Sequence, residues 1–207
     1  YAWNYGLSFL KGFQIGTTPV NLNADLFRTE FVNQVVVDWE TQGQVSFYNL
    51  DGDSFANSFQ LGLNARLFRF IDARFAYKWY DVQVDYSHGL LQKPMQPKQR
   101  FFTNWGYAGT KWRADITYQF TGKQRIPPSS SNPNGLESDT FGLLNAQITY
   151  LPLVNFELYV GTENANNYQQ SNPIQSANNP FSPTFDTSLV YAPVFGRMVY
   201  AGLRYNL

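Results

Sequence analysis

The chain has 207 residues, 15 of them basic and 15 acidic, so its formal net charge is zero. That balance lacks the basic surplus with which nucleic-acid binders hold a phosphate backbone. Only 14% of residues are charged while 18% are aromatic, a ring surface that a soluble domain would have to hide. No run approaches the roughly 18 apolar residues of a spanning helix; Val35-Val36-Val37 is typical of the longest. A mean hydropathy of −0.35 suits strands that are apolar on one face only, because alternate residues cancel in any average. There is no cysteine, hence no disulfide framework and no thiolate metal site.

In chain order, period-two alternation dominates. Tyr1, Trp3, Tyr5, Leu7 and Phe9 share one face of a first strand, opposite Asn4, Gly6, Ser8 and Gly12. After the turn Gly16-Thr17-Thr18-Pro19, a second strand is predicted from Val20 to Trp39. Its Phe27, Phe31, Val35 and Val37 point one way, and Arg28, Glu30, Gln34 and Asp38 the other. A polar connection leads to a strand from Ser54 to Phe68, with Phe55, Phe59, Leu61, Leu63 and Leu67 on one side. A tight turn at 69–71 precedes a strand with Ala73, Phe75, Tyr77 and Trp79 outward and Arg74 and Lys78 opposite. A loop around Ser87-His88-Gly89 to Pro97 follows, then a strand over 99–107. Trp112, Ala114, Ile116, Tyr118 and Phe120 alternate with Arg113, Asp115, Thr117 and Gln119. The turn-forming run Pro127 to Gly135 separates them from Leu144, Ala146, Ile148 and Tyr150. Phe156, Leu158 and Val160 come after a short turn; a loop over 164–195, rich in Asn, Gln, Ser and Pro, precedes the last strand, Arg197 to Leu207.

About nine strands result, joined alternately by short and long connections, the habit of membrane barrels with short periplasmic turns and long extracellular loops. The fold class is therefore all-β, an antiparallel transmembrane β-barrel wall. An odd count puts the two chain ends on opposite sides, whereas complete bacterial barrels have even counts. With no initiator Met at Tyr1, the expectation is that upstream strands exist and close the sheet, since lipid tolerates no open edge.

Four segments resemble those of a known family. The ending Gly196-Arg197-Met198-Val199-Tyr200-Ala201-Gly202-Leu203-Arg204-Tyr205-Asn206-Leu207 resembles the closing strand of TonB-dependent outer-membrane receptors. Leu207 stands where that family usually ends in Phe. Gly161-Thr162-Glu163-Asn164-Ala165-Asn166-Asn167 resembles their G-x-E-N-x-x-N segment, and Arg28 to Gln34 their R-x-x-F-x-N-Q strand. Pro97-Lys98-Gln99-Arg100 is similar to a loop-to-strand transition of the same family. The resemblance covers the whole chain, residues 1–207. It implies a Gram-negative outer-membrane location and a barrel of about 22 strands around a plug, of which this chain is roughly the last two-fifths. It further implies active import of a scarce bulky nutrient, a metal chelate such as a siderophore or cobalamin. The partners implied are the lipid bilayer, the rest of the receptor, and the TonB complex reached through an N-terminal part. The alternatives are a small passive porin and an outer-membrane enzyme. No cofactor is expected.

Within this frame, Arg28, Glu30, Arg66, Arg74, Arg113, Asp115, Glu157 and Arg204, with Lys78 and Glu163, are expected to line the lumen and to face the plug. Arg66 and Arg74 flank one tight turn and require an acidic partner, Asp72 or a plug residue; Glu157 and Arg204 are placed to pair. Trp3, Trp39, Trp79, Trp105, Trp112, Tyr150 and Tyr205 suit interfacial girdles. Tyr168, Phe181, Phe185 and Tyr191, in the longest loop, are the candidates for substrate capture. His88 beside Ser87 lacks a second histidine and a nucleophile motif, and one His with two Met is too few for a metal cluster. No catalytic or metal-ligating residues are assigned.

Overall fold

The computed structural model describes residues 1–41, 44–128 and 136–206. Nine strands run side by side in one antiparallel sheet: β1 (Ala2–Ile15), β2 (Thr18–Phe31), β5 (Ser54–Leu67), β6 (Ile71–Tyr86), β8 (Gln99–Ala108), β9 (Trp112–Thr121), β12 (Phe141–Leu153), β13 (Phe156–Glu163) and β14 (Met198–Tyr205). Each pairs with the next in chain order. The hairpin β3 (Val35–Asp38) and β4 (Ser46–Asn49) is separate, β7 (Gly89–Gln92) pairs with the end of β6, and β10 (Arg125–Ile126) pairs with β11 (Leu136–Glu137). No helix of the described residues is long and apolar enough to cross a membrane, which says nothing about strands.

The alternation of apolar and polar residues decides the two faces. Register partners share a face, so Phe9, Ala24, Leu61, Tyr77, Phe101 and Phe120 form one continuous apolar row across six strands. One residue further along each strand, Ser8, Asp25, Gln60, Lys78, Arg100 and Thr121 form a polar row on the other face. Toward the short-turn end of the apolar face Trp112 lies tilted by 33° against Tyr150 at 4.6 Å, and Phe75 meets Trp105 edge-on at 5.4 Å.

The short connections are tight. Gly16 takes φ 62° in the β1–β2 turn, a left-handed conformation that costs glycine little. Between β5 and β6, Phe68 and Arg69 take φ 51° and 62° without a glycine, and nothing in their residue types announces that turn.

Two expectations change. The strand predicted from Val20 to Trp39 is two elements, because the chain leaves the sheet after Phe31 and β3 pairs with β4 instead. Trp39 therefore lies beyond β3, off the sheet that carries Trp3, Trp79, Trp105, Trp112, Tyr150 and Tyr205. The run Ser129–Gly135 and the terminal Leu207 fall outside the described residues.

Candidate functional site

The polar face divides into an ionic half and a loop-covered half. At the short-turn end, Arg66 donates to Asp72 at 2.7 Å. Glu157, largely buried, is held between Arg113 at 3.1 Å and Arg204 at 3.0 Å. Asp115 accepts from Asn104 at 2.8 Å and from Thr117 at 3.2 Å. Arg66, Arg74, Arg113, Asp115, Glu157 and Arg204 thus share the polar face as expected from alternation. Arg66 is register partner of Asp72 and Arg74 of Asn64, so the two arginines are diagonal rather than opposite.

Arg28 and Glu30 are a correction. Register aligns Arg28 with Tyr5 and Asn57, on the face of Leu7, Leu26 and Phe59. The apolar alternation of β2 is Val20, Leu22, Ala24, Leu26, so Arg28 and Glu30 continue the apolar face beyond its apolar band. Phe27 and Phe31, read as outward, belong to the polar side. Arg28 binds Glu30 at 2.8 Å and Asn57 at 3.1 Å, lies over the Phe55 ring, and Tyr5 donates to Glu30 at 2.9 Å.

At the long-loop end, the β3–β4 hairpin folds over the polar face. Val36 and Leu50, with Tyr48 beside them, pack on Val84 and Tyr86, which continue the polar side of β6. Burial pushes the Asp38 carboxyl up, but donors outweigh it: the Glu40 N–H at 2.8 Å, the Tyr48 hydroxyl at 2.7 Å, and the Ser87 hydroxyl and N–H at 2.8 and 3.2 Å. The net effect holds Asp38 below the ordinary carboxylate range. Burial, then the hydrogen bond to Asp38, pushes the Tyr48 phenol up to about 12. His88 Nδ1 lies 3.0 Å from the Ser87 hydroxyl, yet that hydroxyl donates to Asp38. A nucleophile relay needs the carboxylate on the imidazole and the imidazole on the serine proton; here the carboxylate holds the serine proton. Arg125 of β10 reaches across to a bidentate pair with Glu40 and donates to Gln92 O at 2.7 Å, joining three loops.

The longest connection is ordered by amide side chains. Asn164 and Asn167 take φ 51° and 55°. Asn164 accepts from Tyr168 N and donates to Tyr168 O and Phe195 O. Asn166 bonds Gly142 O and Leu144 N of β12. Asn167 accepts from Arg197 N, and a side chain at Gly196 would run into that same carboxamide. The E-N-x-x-N segment and the Gly-Arg pair are therefore two halves of one latch between β12, β13 and β14. Gln170, buried, accepts from Tyr191 N and Ala192 N and donates to Leu189 O.

Asn164→Ala removes these bonds and puts a Cβ without a carboxamide at positive φ. A buried group stripped of its partner costs about 1–3 kcal/mol. The expected outcome is faster proteolysis and faster amide exchange over 164–197 with the sheet intact; unchanged protection there would refute the latch.

The four loop aromatics separate. Tyr168 stacks on Phe141 at 5.3 Å and 17°, and its phenol is raised by burial and by neighbouring Tyr191 and Asp139. Tyr191 lies within 3.5 Å of Asp139 through its hydroxyl. Phe185 is partly exposed, and Phe181, 96% exposed, stands clear of the group. Sequence reasoning missed Phe141, since it begins its strand on the polar side, a placement only register reveals.

No protein-family model matches the chain. No curated protein matches it either. Solved structures match it along almost its whole length. The ferric-catecholate import receptor Fiu from E. coli K12 shares the fold at TM-score 0.67 and 12% identity, over 99% of this chain and 28% of that one. The siderophore receptor PiuA from Acinetobacter baumannii gives 0.65 and 16%, over 99% and 28%. The copper transporter OprC gives 0.67 and 14%, over 99% and 31%. The chain thus spans less than a third of the length of these structures, and at such identities the likeness carries the fold alone. That fold, an all-β antiparallel sheet, is the coarser part of what the sequence resemblance implied.

Proposed function

We propose that the chain is the C-terminal part of the barrel wall of a TonB-dependent outer-membrane receptor. In this reading the apolar face meets lipid, the polar face lines the lumen, and the long loops are extracellular. The observation that carries it is the sorting of connections: the tight turns β1–β2, β5–β6, β8–β9 and β12–β13 all lie at one end of a sheet that is largely apolar on one side and polar on the other, and the longer connections between its neighbouring strands lie at the other end. A shared fold over 99% of the chain with import receptors supports it. The first and last strands would pair with upstream strands, and a plug would meet the ionic half of the polar face. Arg74 offers it a cation, and Arg113, Glu157 and Arg204 a polar seat.

The cargo of such a receptor is a scarce, bulky metal chelate, of the siderophore or cobalamin kind. Tyr168 and Tyr191, with Phe181 and Phe185 further out, are the loop groups proposed to meet it. The loop's neutral amides suit many hydrogen bonds without committing charge. The geometry around Ser87 and His88 favours transport over acyl transfer.

The test is uptake of labelled chelates by cells carrying the intact gene or lacking it. The expected result is uptake that needs the gene and stops when a protonophore collapses the inner-membrane gradient. Gene-dependent uptake indifferent to the protonophore would replace this reading with a passive porin.

A further inference from the structure

On the polar face Arg66 has Asp72, and Arg113 and Arg204 share Glu157, while Arg74 stands between the neutral Asn64 and Asn104. Lys78 and Arg100 differ. They are direct register partners on β6 and β8, and neither forms an ion pair among the described residues. Two like charges about 5 Å apart at Cβ oppose sheet formation. The nearest carboxylate in their row is Asp25, two strands from Lys78 and so about 10 Å away. The Lys78 ammonium rests 4.9 Å above the Tyr80 ring instead.

Lys78, Tyr80, Gln96, Pro97 and Arg100 enclose a cavity of about 120 Å³. Its upper wall is held in place: Gln92 donates to Gln96 O at 3.3 Å, and Met95 N donates to Arg125 O at 2.8 Å. The row continues from Arg100 to Thr121 and Phe141, whose ring stacks on Tyr168. Three strand spacings, about 14 Å, separate the β6 cation from the β12 aromatic pair.

We propose that Lys78 and Arg100 form an oxyanion-binding subsite for an organic anion. The cavity takes one compact group, a phosphate, sulfate or carboxylate, and the Phe141–Tyr168 stack takes a flat apolar portion about 14 Å away. The anion relieves the repulsion between the two cations, which gives the pair a reason to face an empty space. A planar guanidinium beside a mobile ammonium suits bidentate contact with such a group. This rests on the receptor reading above, in which the polar face lines the lumen.

The experiment uses the whole receptor in neutral detergent, with inorganic phosphate and 4-biphenylyl phosphate as probes followed by phosphorus NMR. The double variant Lys78→Met/Arg100→Met is expected to weaken both probes at least about tenfold. Phe141→Ala is expected to weaken only the biphenylyl probe, and Lys78→Arg to retain binding. Lys93→Met, on the neighbouring loop, is the control. Equal phosphate binding by the double variant, or equal loss in the control, would overturn the subsite; native heat-modifiable mobility of each variant excludes misfolding as the cause. Labelling of Ser176→Cys on whole cells by an impermeant maleimide separates the two readings. Labelled cells with no phosphate effect retain the receptor and discard the subsite, whereas unlabelled cells discard both.

Discussion

Leu61→Arg is expected to destabilise the folded protein in a bilayer by about 2–4 kcal/mol, and its neighbour Gln60→Arg by about 1 kcal/mol or less. Leu61 lies mid-strand in the apolar row, between Ala24 and Tyr77. In a bilayer a guanidinium there would have no water, and within its row only the Tyr77 hydroxyl as a polar partner. Gln60 lies in the polar row between Asp25 and Lys78, one charge of each sign, so an added cation gains from one what it loses to the other. Urea unfolding from phospholipid vesicles measures both. Equal costs would mean that neither face meets lipid, and a reversed order would mean that the faces are interchanged. The pair of variants is more telling than either one, because adjacent residues share the same strand and nearly the same depth and differ in the face they point to.

Arg125→Ala is expected to cost about 3–5 kcal/mol in the loop platform, the price of leaving one member of a buried ion pair alone. The Glu40 side chain is 5% exposed and that of Arg125 20% exposed. Truncation leaves the Glu40 carboxylate without its bidentate partner and also frees Gln92 O. Three segments are joined there, so amide exchange is expected to accelerate together over 35–40, 46–50 and 89–97. Glu40→Leu/Arg125→Leu is expected to recover most of the loss, since an apolar pair needs no hydrogen bonds. Acceleration confined to residues beside position 125 would show that the pair is local and that the loops are held separately.

The nine strands and the two-sidedness of the sheet were legible from residue order, because strand side chains alternate with a period of two residues and turns need particular residues. The same rule placed Arg66, Arg74, Arg113, Asp115, Glu157 and Arg204 on one face. It fails at Arg28 and Glu30, where Phe27 and Phe31 give the polar side an apolar look; β2 outruns the apolar band, and beyond it polarity no longer reports the face. It fails again at Trp39, since nothing local says that a strand changes partners after Phe31.

The chain order alone determined the two-faced antiparallel pattern, the ionic pairing of neighbours such as Glu157 and Arg204, and the family likeness of the ending. Only the tertiary structure joined Asn167 to Gly196, Glu40 to Arg125, and Lys78 to Arg100. Those partners are 22 to 85 residues apart in the chain. Periodicity reports on which side a residue stands, but only register and loop packing decide what stands beside it.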